Sequence, residues 1–329
     1  MANKPFYISH LAHVEIISPK LEQSAEFFKE IIGLEESHRD DNSVYLRAWG
    51  ESYHHSLKIT KGDKPGLGHI GWRTTSAEAL EEAAQFLEAS GQGEGWIDGD
   101  VGHGRAYRFY SPDGHLEEVF WEVEHIQLPV EKQSRWQNRP QRNHGRGISP
   151  RRIDHVTLHA ADVKKDREFY QSLGFRFNEG IYLDKNDPDS VEIGAWLSVT
   201  NLSHDIAFLK SNNNARGQFN HICYAVESRE EVLLAADYLV ENGYPLEFGG
   251  PTRHALAEGF FFYVIEPGGN RFELYAGAHL IFQPDFGPIR WDLRENPNDA
   301  WGRVMPWEDD GRIIVDTSTV GNIKLGASK

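Results

Sequence analysis

Three side chains in the second half of the chain stand out by type and setting. They are His155 in Ile153-Asp154-His155-Val156-Thr157, His221 in Phe219-Asn220-His221-Ile222, and Glu273 in Arg271-Phe272-Glu273-Leu274-Tyr275. Two imidazoles and one carboxylate are the set that holds ferrous iron on one face of its octahedron, leaving other positions open for substrate and dioxygen. The first half carries His13, His69 and Glu118 at corresponding places. A lone histidine in a strand is most often a satisfied structural residue. A matched His–His–Glu series, written twice, points instead to an oxygen-using metal centre built by duplicating a module.

Strands must position these groups. Side chains alternate across a strand, so His155 and Thr157 point away from Asp154 and Val156. The same alternation separates His221 from Asn220 and Ile222, and Glu273 from Phe272 and Leu274. Apolar neighbours then fill one face, while three adjacent strands of a curved sheet bring the ligands to one ion on the other.

The repeat extends well beyond the ligands. Gly68-His69-Ile70-Gly71-Trp72 aligns with Asn220-His221-Ile222-Cys223-Tyr224, and each opens a strand followed by an amphipathic helix, Ala77 to Leu87 and Arg229 to Leu239. Both helices stop at a glycine, Gly91 and Gly243, as helix ends often do. The offset is constant: 221 − 69 = 152 and 243 − 91 = 152. Earlier, His13 and His155 (155 − 13 = 142) open strands that lead into helices at Leu21 to Ile32 and Val163 to Leu173. Ser111-Pro112-Asp113-Gly114 and Glu266-Pro267-Gly268-Gly269 read as matching hairpin turns between aromatic-rich strands. The chain is therefore read as α+β, with four βαβββ modules, two in each half.

Residues 1–127 form the first domain in this reading and 151–283 the second. The stretch 128–150, with Arg135, Arg139, Arg142 and Arg146, is a linker that docks on the surface. An irregular tail, 284–329, has aromatic residues (Phe286, Trp291, Trp301, Trp307) that suggest it packs over the second half, with a frayed end at Gly326-Ala327-Ser328-Lys329.

Composition excludes several partners. At 329 residues there is length for two cores. A net charge of -16 argues against nucleic acid and anionic membranes, both of which need clustered cations. Cys223 is the only cysteine, which rules out an intrachain disulfide and fits a reducing cytoplasm. Met1-Ala2-Asn3-Lys4-Pro5 lacks an apolar core, and no run approaches the roughly 20 residues of a spanning helix.

Tandem βαβββ modules with inward His, His and Glu resemble the vicinal oxygen chelate (glyoxalase/bleomycin-resistance-like) superfamily. The second half resembles the catalytic domain of type I extradiol ring-cleaving dioxygenases, the catechol 2,3-dioxygenase-like group. The likeness runs from about Ser9 to Trp301. It is most specific at Ile153-Asp154-His155, at Gly250-Pro251-Thr252-Arg253-His254, and from Tyr263 to Glu273. The resemblance implies that His155, His221 and Glu273 hold Fe(II), with Mn(II) the alternative. It also implies that His204 is the acid–base histidine and that Tyr263 and His254 stabilise charge on substrate oxygen. Thr157, Trp196 and Arg253 are expected to line the substrate pocket. The implied reaction is meta cleavage of a catecholic substrate by dioxygen, giving a 2-hydroxymuconic semialdehyde in aromatic catabolism, by a homo-oligomer that in this family is commonly a tetramer. Carboxylated substrates are held by arginines in the family. The most comparable loop position here is Gly249, leaving Arg253, Arg290 and Arg294 as substitutes, so catechol or alkylcatechols are expected. The alternatives are a glyoxalase-like isomerase or lyase and a non-enzymatic ligand-binding protein.

In the first half, His54 is aligned with His204, and Arg108 with Tyr263 because each lies ten residues before its glutamate. A cation facing a metal opposes binding, so the first half is expected to be a decayed, non-catalytic copy.

Overall fold

The computed structural model describes residues 6–143, 145–247 and 251–301. Gly249, Gly250, Pro306, Trp307 and the frayed end expected after them lie outside the described residues. The first half runs β1 (Ile8–Ser18), α1 (Leu21–Glu26), β2 (Glu35–Arg39), β3 (Ser43–Arg47), β4 (Leu57–Lys61), β5 (Gly66–Thr74), α2 (Ala77–Ala89), β6 (Gly93–Ile97), β7 (Ala106–Tyr110) and β8 (Leu116–Phe120). The second runs β9 (Arg152–Ala160), α3 (Val163–Ser172), β10 (Arg176–Tyr182), β11 (Glu192–Ser198), β12 (Ile206–Lys210), β13 (Gln218–Ala225), α4 (Arg229–Glu241), β14 (Thr252–Arg253), β15 (Phe260–Ile265), β16 (Arg271–Ala276) and β17 (Ile289–Asp292). The four-module α+β architecture is thus present.

Each half makes one sheet, ordered β2-β3-β4-β1-β5-β8-β7-β6 and β14-β15-β16-β13-β9-β12-β11-β10-β17. The opening strands of paired modules, β1 with β5 and β9 with β13, run antiparallel at the sheet centre. Each is flanked by the parallel closing strand of its own module. This places the His-bearing strands and the Glu-bearing strand side by side.

Local chemistry fixes the helices. Ser76, Asp162 and Ser228 cap α2, α3 and α4 by accepting the backbone N–H groups of Ala79, Lys165 and Glu231. Gly91 (φ 75°) and Gly243 (φ 86°) terminate α2 and α4 in the left-handed region that glycine enters without strain. The helix expected over Leu21 to Ile32 is α-helical only to Glu26 and widens to a π turn over Phe27–Ile31. The wider turn buries two consecutive aromatics: Phe27 meets Tyr244 at 4.8 Å between ring centroids, and Phe28 meets Phe272 at 5.6 Å.

Those contacts join the first module to the fourth. Trp72 joins the second to the third, packing edge-on to Phe175 (5.1 Å) and donating its indole N–H to Glu117 Oε2 at 2.6 Å. Apolar faces of both sheets and all four helices thereby share one core. The linker is also used internally. Arg47 donates to buried Gln141, Arg146 donates to the Leu34 carbonyl (2.8 Å), and Arg139 lies over Trp49 and Trp136. The expectation of an irregular tail is corrected at Ile289–Asp292, which adds β17 parallel to β10. An exposed edge backbone row is satisfied best by another strand, and the tail supplies it. Among the described residues no helix is long and apolar enough to cross a membrane.

The hairpin turn at Ser111–Gly114 ties the halves together. Asp113 accepts the backbone N–H groups of Ala161 (2.9 Å) and Gly217 (3.2 Å), and its own N–H donates to Asp166 Oδ1 (3.3 Å). Burial first, then the charge of Asp113, pushes the Asp166 carboxyl up to about 7. The folded protein therefore favours protonated Asp166. That contribution is complete below the ordinary aspartate range and is lost as pH rises through about 7. Asp166→Asn keeps the acceptor and removes the charge. Its advantage in melting temperature over the unaltered protein should grow by on the order of a few degrees between pH 5 and pH 8. Melting curves at both pH values check this, and an equal difference at both would contradict it.

Candidate active site

Alternation along three neighbouring strands builds the site. On β9, Val156 and Leu158 enter the core while His155 and Thr157 face the other way; on β13, Ile222 is in the core opposite His221; on β16, Phe272 and Leu274 are in the core opposite Glu273 and Tyr275. His155 Nε2 and His221 Nε2 lie 2.9 and 3.0 Å from Glu273 Oε2, and 3.4 Å from each other. All three side chains are buried.

The second nitrogen of each ring settles what these atoms are. His221 Nδ1 lies 2.7 Å from Asn220 Oδ1, the same oxygen that accepts from Arg271 Nη1 at 3.0 Å. An atom that accepts from arginine is an oxygen, so His221 carries its proton on Nδ1. His155 Nδ1 lies 2.9 Å from Asp154 Oδ1. Burial opposes ionisation of Asp154, but Arg152 and His155 outweigh it and hold the carboxyl down at about 2. His155 therefore also donates from Nδ1. As neutral ligands both rings present Nε2 lone pairs to Glu273 Oε2; without an ion, burial opposes charging His155, but Asp154 and Glu273 outweigh it and push the ring up to about 9, so a proton takes the cation's place.

Three converging acceptors call for a cation. Metal–ligand bonds of about 2.1 Å at right angles put neighbouring ligand atoms about 3.0 Å apart. The observed edges of 2.9, 3.0 and 3.4 Å fit that triangle, so the residues suit a divalent ion. Cys223 clusters with Asp154 and His155 instead, outside the His–His–Glu triangle, and burial and then Glu273 push its thiol up.

A narrow cleft opens beside the triangle. His204 lines it with its ring centroid 4.0 Å from His155 and Nδ1 3.0 Å from Ser203 Oγ. Burial, then His155, lowers its pKa well below the ordinary histidine value, so the ring is neutral. Tyr263 sits opposite Glu273 in the β15–β16 ladder and also lines the cleft. Burial and Glu273 keep it a phenol. His254 stacks on Phe261 (3.6 Å) and donates Nδ1–H to the Asn298 carbonyl at 2.7 Å. Its Nε2, 3.5 Å from the Tyr263 hydroxyl, is therefore an acceptor. In this tautomer His254 presents an acceptor to Tyr263.

Thr157 and Trp196 line the cleft as expected, but Arg253 does not. Its guanidinium turns to Glu258 Oε2 (3.2 Å), the nearest carboxylate on the outer side of its loop. Arg290 packs over Tyr182 and donates to the Lys185 carbonyl, and Arg294 pairs with Asp292. No lysine or arginine lines the cleft among the described residues.

The register also corrects the first half. Val14 pairs with Leu57 as Val156 pairs with Ile206, and stepping back two residues gives His55 and His204. His55, 4.8 Å from His13, is the counterpart of His204; His54 is one residue out of step. Arg108 faces Glu118 as Tyr263 faces Glu273. Sequence reasoning missed Asp154 and Asn220, although each directly precedes its histidine. It missed Tyr275, which strand alternation places beside Glu273. It also missed Asn298, for which no local signal exists.

The sequence profile of the Glyoxalase/Bleomycin resistance protein/Dioxygenase superfamily matches residues 10–119 and 152–274. A metapyrocatechase of Geobacillus stearothermophilus is 43% identical over 306 residues, covering 92% of each chain. A manganese-dependent 2,3-dihydroxybiphenyl 1,2-dioxygenase of Geobacillus genomosp. 3 is 38% identical, covering 88% of this chain and 91% of its own. Among solved structures, the 2,3-dioxygenase LapB from Pseudomonas sp. KL28 aligns with a TM-score of 0.79 at 30% identity, covering 88% of this chain and 99% of that one. Homoprotocatechuate 2,3-dioxygenase from Brevibacterium fuscum aligns with a TM-score of 0.79 at 26% identity, covering 93% and 92%.

With two paired-module sheets and a buried His–His–Glu triangle, the chain belongs to the glyoxalase/bleomycin resistance/dioxygenase superfamily. Within it, the protein is a type I extradiol dioxygenase.

The Asp154–His155 hydrogen bond should set metal affinity. Asp154→Asn is expected to weaken binding at the His155 cluster about 10- to 100-fold, measured by chelator competition. Unchanged affinity would show that Asp154 does not orient the ligand.

Proposed function

We propose that the chain opens an uncharged, single-ring catechol beside its diol, with dioxygen as co-substrate and Fe(II) at His155, His221 and Glu273. The product is of the 2-hydroxymuconic semialdehyde type, formed in aromatic breakdown. The observation that carries this is the buried triangle of acceptors with its unpartnered Glu273 Oε2. A facial His–His–carboxylate set with open positions favours Fe(II), and Mn(II) is the alternative because one relative is named as manganese-dependent. The buried thiol of Cys223 supports a reducing cytoplasm.

When bound, such an ion supplies Lewis acidity toward the catechol hydroxyls and open coordination positions for dioxygen. The protein handles the protons. With Nδ1 of His204 held against Ser203 Oγ, Nε2 is the atom left for exchange. Neutral when substrate arrives, His204 takes a proton from a hydroxyl and later returns it as the ring opens. Tyr263 donates its O–H to substrate oxygen, and His254 Nε2 accepts from Tyr263 between turnovers. Trp196, Leu209 and Leu256 exclude water around the ring.

Metal-stripped protein reloaded with Fe(II) under anaerobic conditions should turn catechol into a yellow ring-fission product when air is admitted. Activity restored by Mn(II) and not by Fe(II) would reassign the metal, and no product from any catechol would remove the reading. His204→Asn should lower kcat about 100- to 10,000-fold while leaving metal content unchanged. Normal turnover would refute the acid–base role. With no cation in the cleft, a carboxylated catechol should show kcat/KM at least about tenfold below catechol or an alkylcatechol, since each 1.4 kcal/mol is tenfold. A preference for the carboxylate in steady-state assays would contradict this.

A further inference from the structure

The first half contains a second convergence that the proposed reaction does not use. His13, His69 and Glu118 offer ligand atoms all within 4.8 Å of one another, every one buried. His13 Nε2 and His69 Nε2 are 2.9 Å apart and lie 3.7 and 3.5 Å from Glu118 Oε1. A fourth group stands next to this cluster but outside it: His103 Nε2 is 3.0 Å from the same oxygen, and the ring must turn further inward to join the other two imidazoles.

The outer bonds of these rings show what faces inward. His103 Nδ1 is 2.9 Å from the Gly104 carbonyl, which can only accept, so Nε2 is a lone pair. His69 Nδ1 is 2.7 Å from Glu15 Oε2, in a carboxylate that also faces Lys58, which leaves Nε2 as the atom aimed at His13 and Glu118. His103 Nε2 and Glu118 Oε1 are buried, adjacent, and without any hydrogen-bond partner. Acceptors aimed at one another without a donor are unfavourable unless a cation lies between them.

Arg108 does not obstruct that cation. Its Nε donates to Glu118 Oε2 (3.2 Å), leaving Oε1 to the imidazoles. The packing also accommodates the ligands. Gly71, the strand partner of His13, stands where a Cβ would come within 2.1 Å of the His13 ring. Cys223 occupies the corresponding place in the second half (71 + 152 = 223). A copy under no demand to hold His13 would not need that space.

We propose that the first half binds its own divalent metal ion, zinc, through His13, His69 and Glu118, with His103 closing the fourth position. Three imidazoles and one carboxylate oxygen make a four-ligand set of the kind found in closed structural zinc sites, whereas the second half keeps three ligands and an open face. Arg108 stands where the catalytic half has Tyr263, so the site stabilises the fold and does not turn over substrate.

Native mass spectrometry of the full-length protein, dialysed against Zn(II), should count two ions per chain. His69→Ala should count one and retain ring cleavage when the other site is loaded with iron, while His155→Ala should count one and lose it. Cobalt(II) added to His155→Ala should give the intense visible bands of tetrahedral coordination, weakened when His103→Ala is combined with it. One ion in the unaltered chain, two ions in His69→Ala, or a weak octahedral cobalt spectrum would each overturn the proposal. The count on the unaltered chain decides even if a variant fails to fold. Loss of ring cleavage in every protein with two ions still counted would fault the catalytic reading alone.

Discussion

The structure depends on a carboxylate oxygen buried against imidazole lone pairs. When both rings are neutral, as ligands must be, Glu273 Oε2 has two ring nitrogens at about hydrogen-bonding distance and a hydrogen from neither. Desolvating a charged acceptor without a partner is among the most unfavourable arrangements a fold can contain. Here it is enforced from outside, because Asp154 and Asn220 hold the ring protons on the far nitrogens. The outer bonds therefore define the site as much as the inner atoms do.

Duplication explains how such a site can be assembled from short strands. Antiparallel pairing of two opening strands puts the histidines side by side, and a parallel closing strand brings in the glutamate. Both sheets share this plan, and both point ligands to the face away from the common core. Divergence is confined to what surrounds the ligands. The second half has Tyr263 and a cleft; the first has Arg108 on the glutamate and His103 against it. One rung of the β7–β8 ladder, Arg108 beside Glu118, separates a site open for chemistry from one closed around its own side chains.

Most of the architecture was legible because it is written in periodicity. Alternation placed His155, His221 and Glu273 on one face, and amphipathic periodicity, closed by Gly91 and Gly243 in two cases, marked three helices within two residues. What was not legible involved contacts remote in sequence or conformations without a residue signature. The π turn at Phe27–Ile31 serves packing against the fourth module, which no local pattern announces. Arg253 sits in the expected loop, but its direction is set by Glu258, five residues on. His54 and His55 are neighbours just before β4 with their rings in contact (5.3 Å between centroids), and a one-residue slip in an inferred alignment exchanges them. His103 lies in a glycine-rich loop with no strand period, so nothing in its sequence tied it to Glu118.

The same logic bears on how the cleft selects its substrate. A buried carboxylate on a ligand needs a cation, or several oriented N–H donors, in a space already crowded by Glu273. Arg253, Arg290 and Arg294 are engaged with Glu258, Tyr182 and Asp292, and each partner lies outside the cleft. Turning one inward would strand its partner and add a charge beside the neutral His204. The walls around the ring are Trp196, Leu209, Leu256 and Ala257, which gain by covering apolar carbon and offer nothing to a second charge. Selectivity for an uncharged ring thus follows from where the outer shell has already committed its cations, the same device by which Asp154 and Asn220 decide what the inner ring nitrogens present.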